Sequence, residues 1–221
     1  MDLRGFDYNL PLEIIKQEEN MISIRLKGVP IQYANALRRI CLNGVPIFAI
    51  DTVDILENTS IMPDEALAHR LGLIPLKTDS VVAMSEEEIK ESGSRVMLTL
   101  DSEEINDREN DGESRTVFSN ELKSQDEQIR PTSDKIPIVT LAPGQKVKFQ
   151  AYAKLGRGTD HAKWNSAITS VLTETKNKDE HVLTIQSTGS LDAKNIVLIA
   201  MDELSNRLVK FKEMLSDLKA K

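Results

Sequence analysis

Seven apolar residues near the end of the chain, Val197, Met201, Leu204, Leu208, Phe211, Leu215 and Leu218, are spaced 4, 3, 4, 3, 4, 3. The seam repeats every seven residues inside a segment that reads as helix from Asp192 onward, and so narrow a stripe suits packing of helix on helix. Burying seven such side chains is worth roughly 10–20 kcal/mol gross at about 1.5–3 kcal/mol each. Something must therefore cover them. Ile196, Ile199 and Ala200 widen the apolar face over the first turns. The helix is thus expected to pack on its own sheet there and to present its far end to a partner. Periodicity alone leaves open the alternative in which the whole helix lies on its own domain.

The rest of the chain divides into short elements. Leu12 to Leu26 holds two Ile-rich runs around a polar turn at Gln17 to Asn20, and the second run alternates Ile22, Ile24 and Leu26 with Ser23 and Arg25, which predicts a β-hairpin. Pro30 and Gly44 bracket a short helix with Tyr33, Leu37, Ile40 and Cys41 on one face and Ala34 beside them. A strand is expected after Pro46. Pro63, followed by Asp64 and Glu65, starts a helix that Gly72 ends, because carboxylates offset the positive end of the helix dipole. Ala142 to Gln145 reads as a turn, and the alternation of Val147, Phe149, Ala151 and Ala153 after it reads as a strand. Ala167 to Thr175 and His181 to Thr188 form a second expected hairpin across a polar turn at Lys176 to Glu180. Asp101 to Glu113 carries seven acids, one Arg and a single aliphatic residue, so it is expected to be a solvated loop or hairpin tip.

Composition limits the function. With 221 residues the chain makes one large domain or two small ones, and aromatics at 4% leave an aliphatic core. The 28 Lys and Arg against 35 Asp and Glu give a formal charge of −7, which argues against holding nucleic acid by a general positive field. A single cysteine excludes an internal disulfide and any site needing several thiolates, and reads as a small core residue of a protein in a reducing compartment. No run of about 18 apolar residues occurs, and Met1 to Gly5 lacks a basic start before an apolar stretch, so neither secretion nor membrane insertion is expected.

The chemistry-bearing residues are few. Glu65 and His69 share a helical face at a metal-site spacing, yet lack the second ligand pair a metal would want, so they read first as surface or packing residues. His161 sits between the Gly156/Gly158 turn and Trp164. With Asp160 it forms a candidate base pair, but without a recognisable nucleophile it reads first as part of an ordered loop. The glycine pair lacks the third glycine, the Lys-Ser/Thr ending and the following helix of a phosphate loop. Arg38 and Arg39, with Asn35 one turn back, are either a solvated pair or a fork for a phosphate or carboxylate across an interface.

Asn35-Ala36-Leu37-Arg38-Arg39-Ile40 with Val45-Pro46 resembles the alpha-like assembly subunits of cellular RNA polymerases. Asp64 to Leu76, Gly156-Arg157-Gly158 to His161-Ala162-Lys163-Trp164, and Gln186 to Leu191 before the long helix narrow the resemblance to the larger alpha-like subunit of archaeal polymerases and its eukaryotic third-largest-subunit counterparts. These blocks run in register from about residue 10 to the end. The resemblance implies an α+β fold. A discontinuous dimerisation domain of antiparallel strands with two helices, one the long C-terminal helix, spans 1–44 and 166–221. A mostly β insert domain at 45–165 interrupts it and contains the acidic loop near 101–113. The resemblance further implies a cytoplasmic, non-catalytic subunit of DNA-directed RNA polymerase. It would pair with the smaller alpha-like subunit L and hold the second-largest subunit together with the small subunits N and P. The seam then serves as the heterodimer surface, Asn35, Arg38 and Arg39 contact a large subunit, and His69, Arg70, His161 and Trp164 make insert-domain contacts. Some members carry an iron–sulfur domain after the HAKW block. Here only 16 residues separate Trp164 from His181 and none is Cys, so no cluster and no zinc are expected in this chain. Magnesium and zinc would then lie on other subunits, and direct sequence-specific DNA binding is not expected. Two rival classes remain from the residues: an independent enzyme using His161 and Asp160 or Glu65 and His69, and a nucleic-acid module, which the charge and the scarce aromatics disfavour.

Overall fold

The computed structural model describes residues 12–79, 95–103, 114–177 and 179–219. Of the acidic segment, the residues after Glu103 and before Ser114 lie outside those described. The chain separates into two compact units, one built from residues up to Val45 together with Asn165 onward, the other running from Pro46 to Trp164. Both mix antiparallel strands with helix, which is the α+β class expected from the sequence. Among the described residues no helix is long and apolar enough to cross a membrane.

The split unit contains strands β1 (Leu12–Glu18) and β2 (Met21–Lys27), helix α1 (Ile31–Asn43), strands β9 (Ala167–Glu174) and β10 (Glu180–Ser187), and the closing helix, here α3 (Ala193–Lys219). Its sheet has the order β1-β2-β10-β9. The two predicted hairpins join through β2 and β10, so that Ile24 pairs with Leu183 and Ile22 with Ile185. Alternation puts Ile22, Ile24, Leu26, His181, Leu183 and Ile185 on the face that α1 and α3 cover. Helix α1 adds Ala34, Leu37, Ile40 and Cys41 to this core, while α3 adds Ile196, Val197 and Ala200.

The middle unit contains β3 (Ile47–Asn58), α2 (Asp64–Gly72), β4 (Val96–Asp101), β5 (Arg115–Phe118), β6 (Lys123–Ser124), β7 (Pro137–Leu141) and β8 (Val147–Gly156). One sheet runs β3-β8-β4-β6, and β5 pairs with β7 in a second. The first sheet, helix α2 and the β5–β7 pair enclose an aliphatic core around Phe149, with Leu67 and Leu71 from α2 and Leu98, Leu100 and Ala151 from the strands. Gly144, in the predicted turn before β8, has φ +79°, a conformation open to glycine at little cost.

Candidate docking interface

Helix α3 is 27 residues long, which at 1.5 Å per residue is about 40 Å. Only its first turns are buried, by Ala193, Ile196, Val197 and Ala200. Of the seam, Val197 therefore belongs to the unit's own core, and Met201 and Leu204 are half-buried. Leu208, Phe211 and Leu215 are 50%, 60% and 45% exposed. The side chain of Leu218 lies outside the described set. Met214, also exposed, widens the distal stripe. Where the seam leaves the sheet it borders a groove of about 330 Å³ lined by Leu12, Leu26, Val29, Tyr33, Leu37, Met201, Leu204 and Leu208. The apolar ridge of the helix end and the apolar groove are thus one continuous surface.

Two contributors to that surface are not evident from the sequence. Tyr33 is expected on the inward face of α1 but is exposed, because the periodic face of the helix turns toward the groove at its first turn. Strand β1 is exposed along its whole length, so Leu12, Ile14 and Ile15 stay in solvent although Ile14 pairs with buried Ile24. A hairpin pattern reports alternation; it does not report whether a helix reaches far enough to cover both strands.

The second candidate surface lies beside α1. Asn35 and Arg39 are exposed, and Arg38 is half-buried. Arg38 is no freely solvated side chain. Its Nε donates to Asn35 Oδ1 at 2.9 Å and its Nη1 to the Ser170 carbonyl at 3.3 Å, while Ser170 Oγ donates back to the Arg38 carbonyl at 2.7 Å. This reciprocal pair ties α1 to β9 and fixes the guanidinium at a cleft that it lines with Gln32, Asn35, Val171 and Leu172. A pre-oriented guanidinium loses little freedom on meeting a carboxylate.

In the middle unit the HAKW block forms a short 3-10 turn that closes on β8. Trp164 is 5% exposed, its Nε1 donates to the Lys154 carbonyl at 3.2 Å, and the Lys154 and Lys163 ammonium groups lie 5.4 and 4.3 Å from its ring centre. Both lysines also bond Asp51, each at 2.8 Å. Burial pushes the Asp51 carboxyl up, but the two ammonium groups outweigh it and hold the carboxyl below its usual value. Trp164, expected among the insert-domain contacts, is enclosed here by its own loop and packs within the middle unit. His161 is exposed, stands edge-on to Trp164 at 6.4 Å, and accepts the Lys163 backbone N–H at Nδ1. His69 and Arg70 are exposed on α2, with Arg70 Nη2 donating to the Pro137 carbonyl at 2.8 Å. Among the described residues no group of three His, Cys, Asp or Glu side chains is placed to hold a metal ion. Cys41 is buried, and burial pushes its thiol up to about 12, which leaves it unreactive at neutral pH.

One buried polar residue is marked in the sequence by strand alternation alone. His181 is 6% exposed and its Nδ1 has no hydrogen-bond partner among the described residues. Alternation along β10, with Leu183 and Ile185 inward, is the signal that places it there.

The family described as "RNA polymerase Rpb3/RpoA insert domain" matches residues 50–175, over half of the chain. The chain is 43% identical over 158 residues to the DNA-directed RNA polymerase subunit Rpo3 of Pyrococcus horikoshii, a match covering 72% of this chain and 57% of that protein. It is 43% identical over 155 residues to the Rpo3 subunit of Pyrococcus furiosus, covering 70% and 56%. To that of Methanosphaera stadtmanae it is 39% identical over 160 residues, covering 72% and 58%. The matched part thus spans somewhat more than half the length of these relatives.

Proposed function

From the premise that the chain belongs to the Rpb3/RpoA family of RNA polymerase subunits, on its archaeal branch, we propose that it is a non-catalytic assembly subunit of a DNA-directed RNA polymerase. The split unit is its dimerisation domain and the middle unit its insert domain. The observation that carries this reading is the exposed end of α3 beside the apolar groove. Leu208, Phe211 and Leu215, with Met201 and Leu204 where the helix leaves the sheet, offer the kind of surface a second alpha-like chain covers. Together with Val197 beneath and Leu218 beyond, they form the seam on which the smaller subunit L docks. Exposed apolar stripes of this size are costly in a free monomer, and helix-on-helix packing relieves the cost.

On this reading the heterodimer with L is a platform. Arg38, held by Asn35 and Ser170, and the exposed Arg39 meet the second-largest subunit, and the small subunits N and P join the same assembly. His69, Arg70 and His161 supply insert-domain contacts. The chain carries neither iron–sulfur cluster nor zinc of its own, and nucleotide addition belongs to the assembled cytoplasmic enzyme, whose magnesium site lies on other chains. Contacts between this chain and specific DNA sequences are not part of the scheme.

The test is co-expression with candidate small subunits followed by native mass measurement. A stable one-to-one complex is expected. A monodisperse monomer that ignores every alpha-like partner and turns over a small molecule would overturn the proposal.

A further inference from the structure

The loop from Asn58 to Asp64 holds the most exposed large apolar side chain among the described residues, Ile61 at 89%. Single exposed apolar residues are ordinary on protein surfaces. This one stands on an unusually fixed frame. Asn58 uses both ends of its amide: Oδ1 accepts from Ser60 N at 3.1 Å and Ser60 Oγ at 2.7 Å, and Nδ2 donates to the Met62 carbonyl at 2.9 Å and Asp64 Oδ1 at 2.7 Å. Ser60 Oγ also accepts from Met62 N at 3.2 Å. Thr59 N donates to the Lys146 carbonyl at 2.9 Å, and Lys146 N donates to Thr59 Oγ1 at 2.7 Å. Met62 packs against the core, so Ile61 is pushed outward between two anchored neighbours. Five residues earlier, a register shift between Ile55 and Glu57 accompanies Leu56, which is 58% exposed. Bulges of this kind re-aim a side chain.

The charged residues of this stretch are mostly acidic. Exposed Asp54, Glu57, Asp64 and Glu65 belong to the same stretch of chain. Two cations at the start of β8 stand beside them: Lys148, the ladder partner of Glu57, also bonds Asp101, and Lys146, which feels the Glu57 carboxylate, bonds Glu103, so these two pairs leave the surround net acidic. An acidic rim disfavours nucleic acid and anionic membrane as occupants and favours a polypeptide with Lys or Arg around an apolar socket.

We propose that Ile61 is a preformed docking knob of the middle unit for another protein subunit that offers an apolar socket with a basic rim. The inference rests on reading the chain as part of a multisubunit assembly. It adds a contact on the unit that carries neither the seam nor the Arg38 cleft. Because the loop is already ordered, docking costs little conformational entropy, which is how a small contact gains affinity.

The test places a thiol on the knob. Cys41 is buried, so Ile61→Cys gives the chain one accessible cysteine. The variant, free and within the polymerase assembled from its subunits, is treated with N-ethylmaleimide, and modification is followed by the mass of this chain alone. Assembly is expected to slow modification at least about tenfold, since reaction needs access. Ile61→Ser should raise the dissociation constant of the docked subunit about tenfold while leaving the unfolding midpoint of the isolated chain in place. Glu57→Gln should weaken the same step and reduce its salt dependence. An assembled complex in which the thiol reacts as fast as in the free chain overturns the knob alone. Protection that appears with DNA, or in the isolated chain at high concentration, overturns it as well. If the unsubstituted chain enters no complex, the assembly reading falls and the knob with it.

Discussion

Gly156 shows how one absent atom shapes the middle unit. A Cβ built there would lie 2.5 Å from Trp164 Cε2, closer than packed atoms come. Gly156→Ala should therefore push the indole off the end of β8 and cost about 1–3 kcal/mol, as overpacking does. A urea titration of the variant against the parent measures it. The carboxylate between the two lysines gives a second prediction. The Asp51 pKa lies below its usual value of 3.8, despite burial, because Lys154 and Lys163 both bond it. The unfolded chain then takes up this proton before the folded chain does. Its stabilising contribution is whole above the ordinary carboxylate range and is lost as pH falls through and below it. Asp51→Asn should lower stability at pH 7 by about 1 kcal/mol after allowing for solvent screening at Lys154. It should also flatten the decline of the unfolding midpoint below about pH 4. Equal acid slopes for parent and variant would show that the carboxylate is not held this way.

At the scale of elements, the closing helix behaves as two helices in one. Its first turns are a core element, and from Leu208 onward its described side chains are exposed. The Glu203–Arg207 pair, 2.8 Å apart at i,i+4, supports the helix near this point by only a few tenths of a kcal/mol. Leu208→Asp combined with Leu215→Asp should leave the unfolding midpoint of the isolated chain nearly unchanged, because both side chains are about half exposed already. The same pair should abolish co-purification with the small partner, since two carboxylates would be buried in an apolar seam. Retained co-purification would move the heterodimer surface elsewhere. The heptad spacing was legible because apolar residues at 3.5-residue intervals need no tertiary information to be seen. The turning point between covered and uncovered seam was not, because it depends on where the sheet ends beneath the helix.

For the molecule as a whole, substitution of the two arginines of α1 tests folding and the proposed assembly role separately. Arg38→Ala removes two hydrogen bonds, one of which ties α1 to β9, and should cost about 1 kcal/mol of stability, whereas exposed Arg39→Ala should cost almost nothing. The double variant should still form the heterodimer yet retain the second-largest subunit poorly on size-exclusion chromatography. Full retention would reduce Arg38 to a structural tie. Pro30, Gly44, Pro63, Gly72 and the 142–145 turn mark element ends in the sequence itself, because proline and glycine restrict or release the backbone locally. The strand and helix periods likewise identified both hairpins, the three α-helices among the described residues and the aliphatic core. What joins the hairpins is a different matter. Ser23 and Thr184 share a hydroxyl hydrogen bond at 3.0 Å across 161 residues, and no local pattern announces a pairing at that separation. The amino-acid order by itself determined which segments become strands and helices and which faces are greasy, since those follow from steric limits and short-range spacing. Only the tertiary structure decided which greasy faces are consumed inside the molecule, that Trp164 goes inward, and that Tyr33, β1 and the end of α3 stay in water. Coverage depends on the lengths and edges of elements that meet from distant parts of the chain.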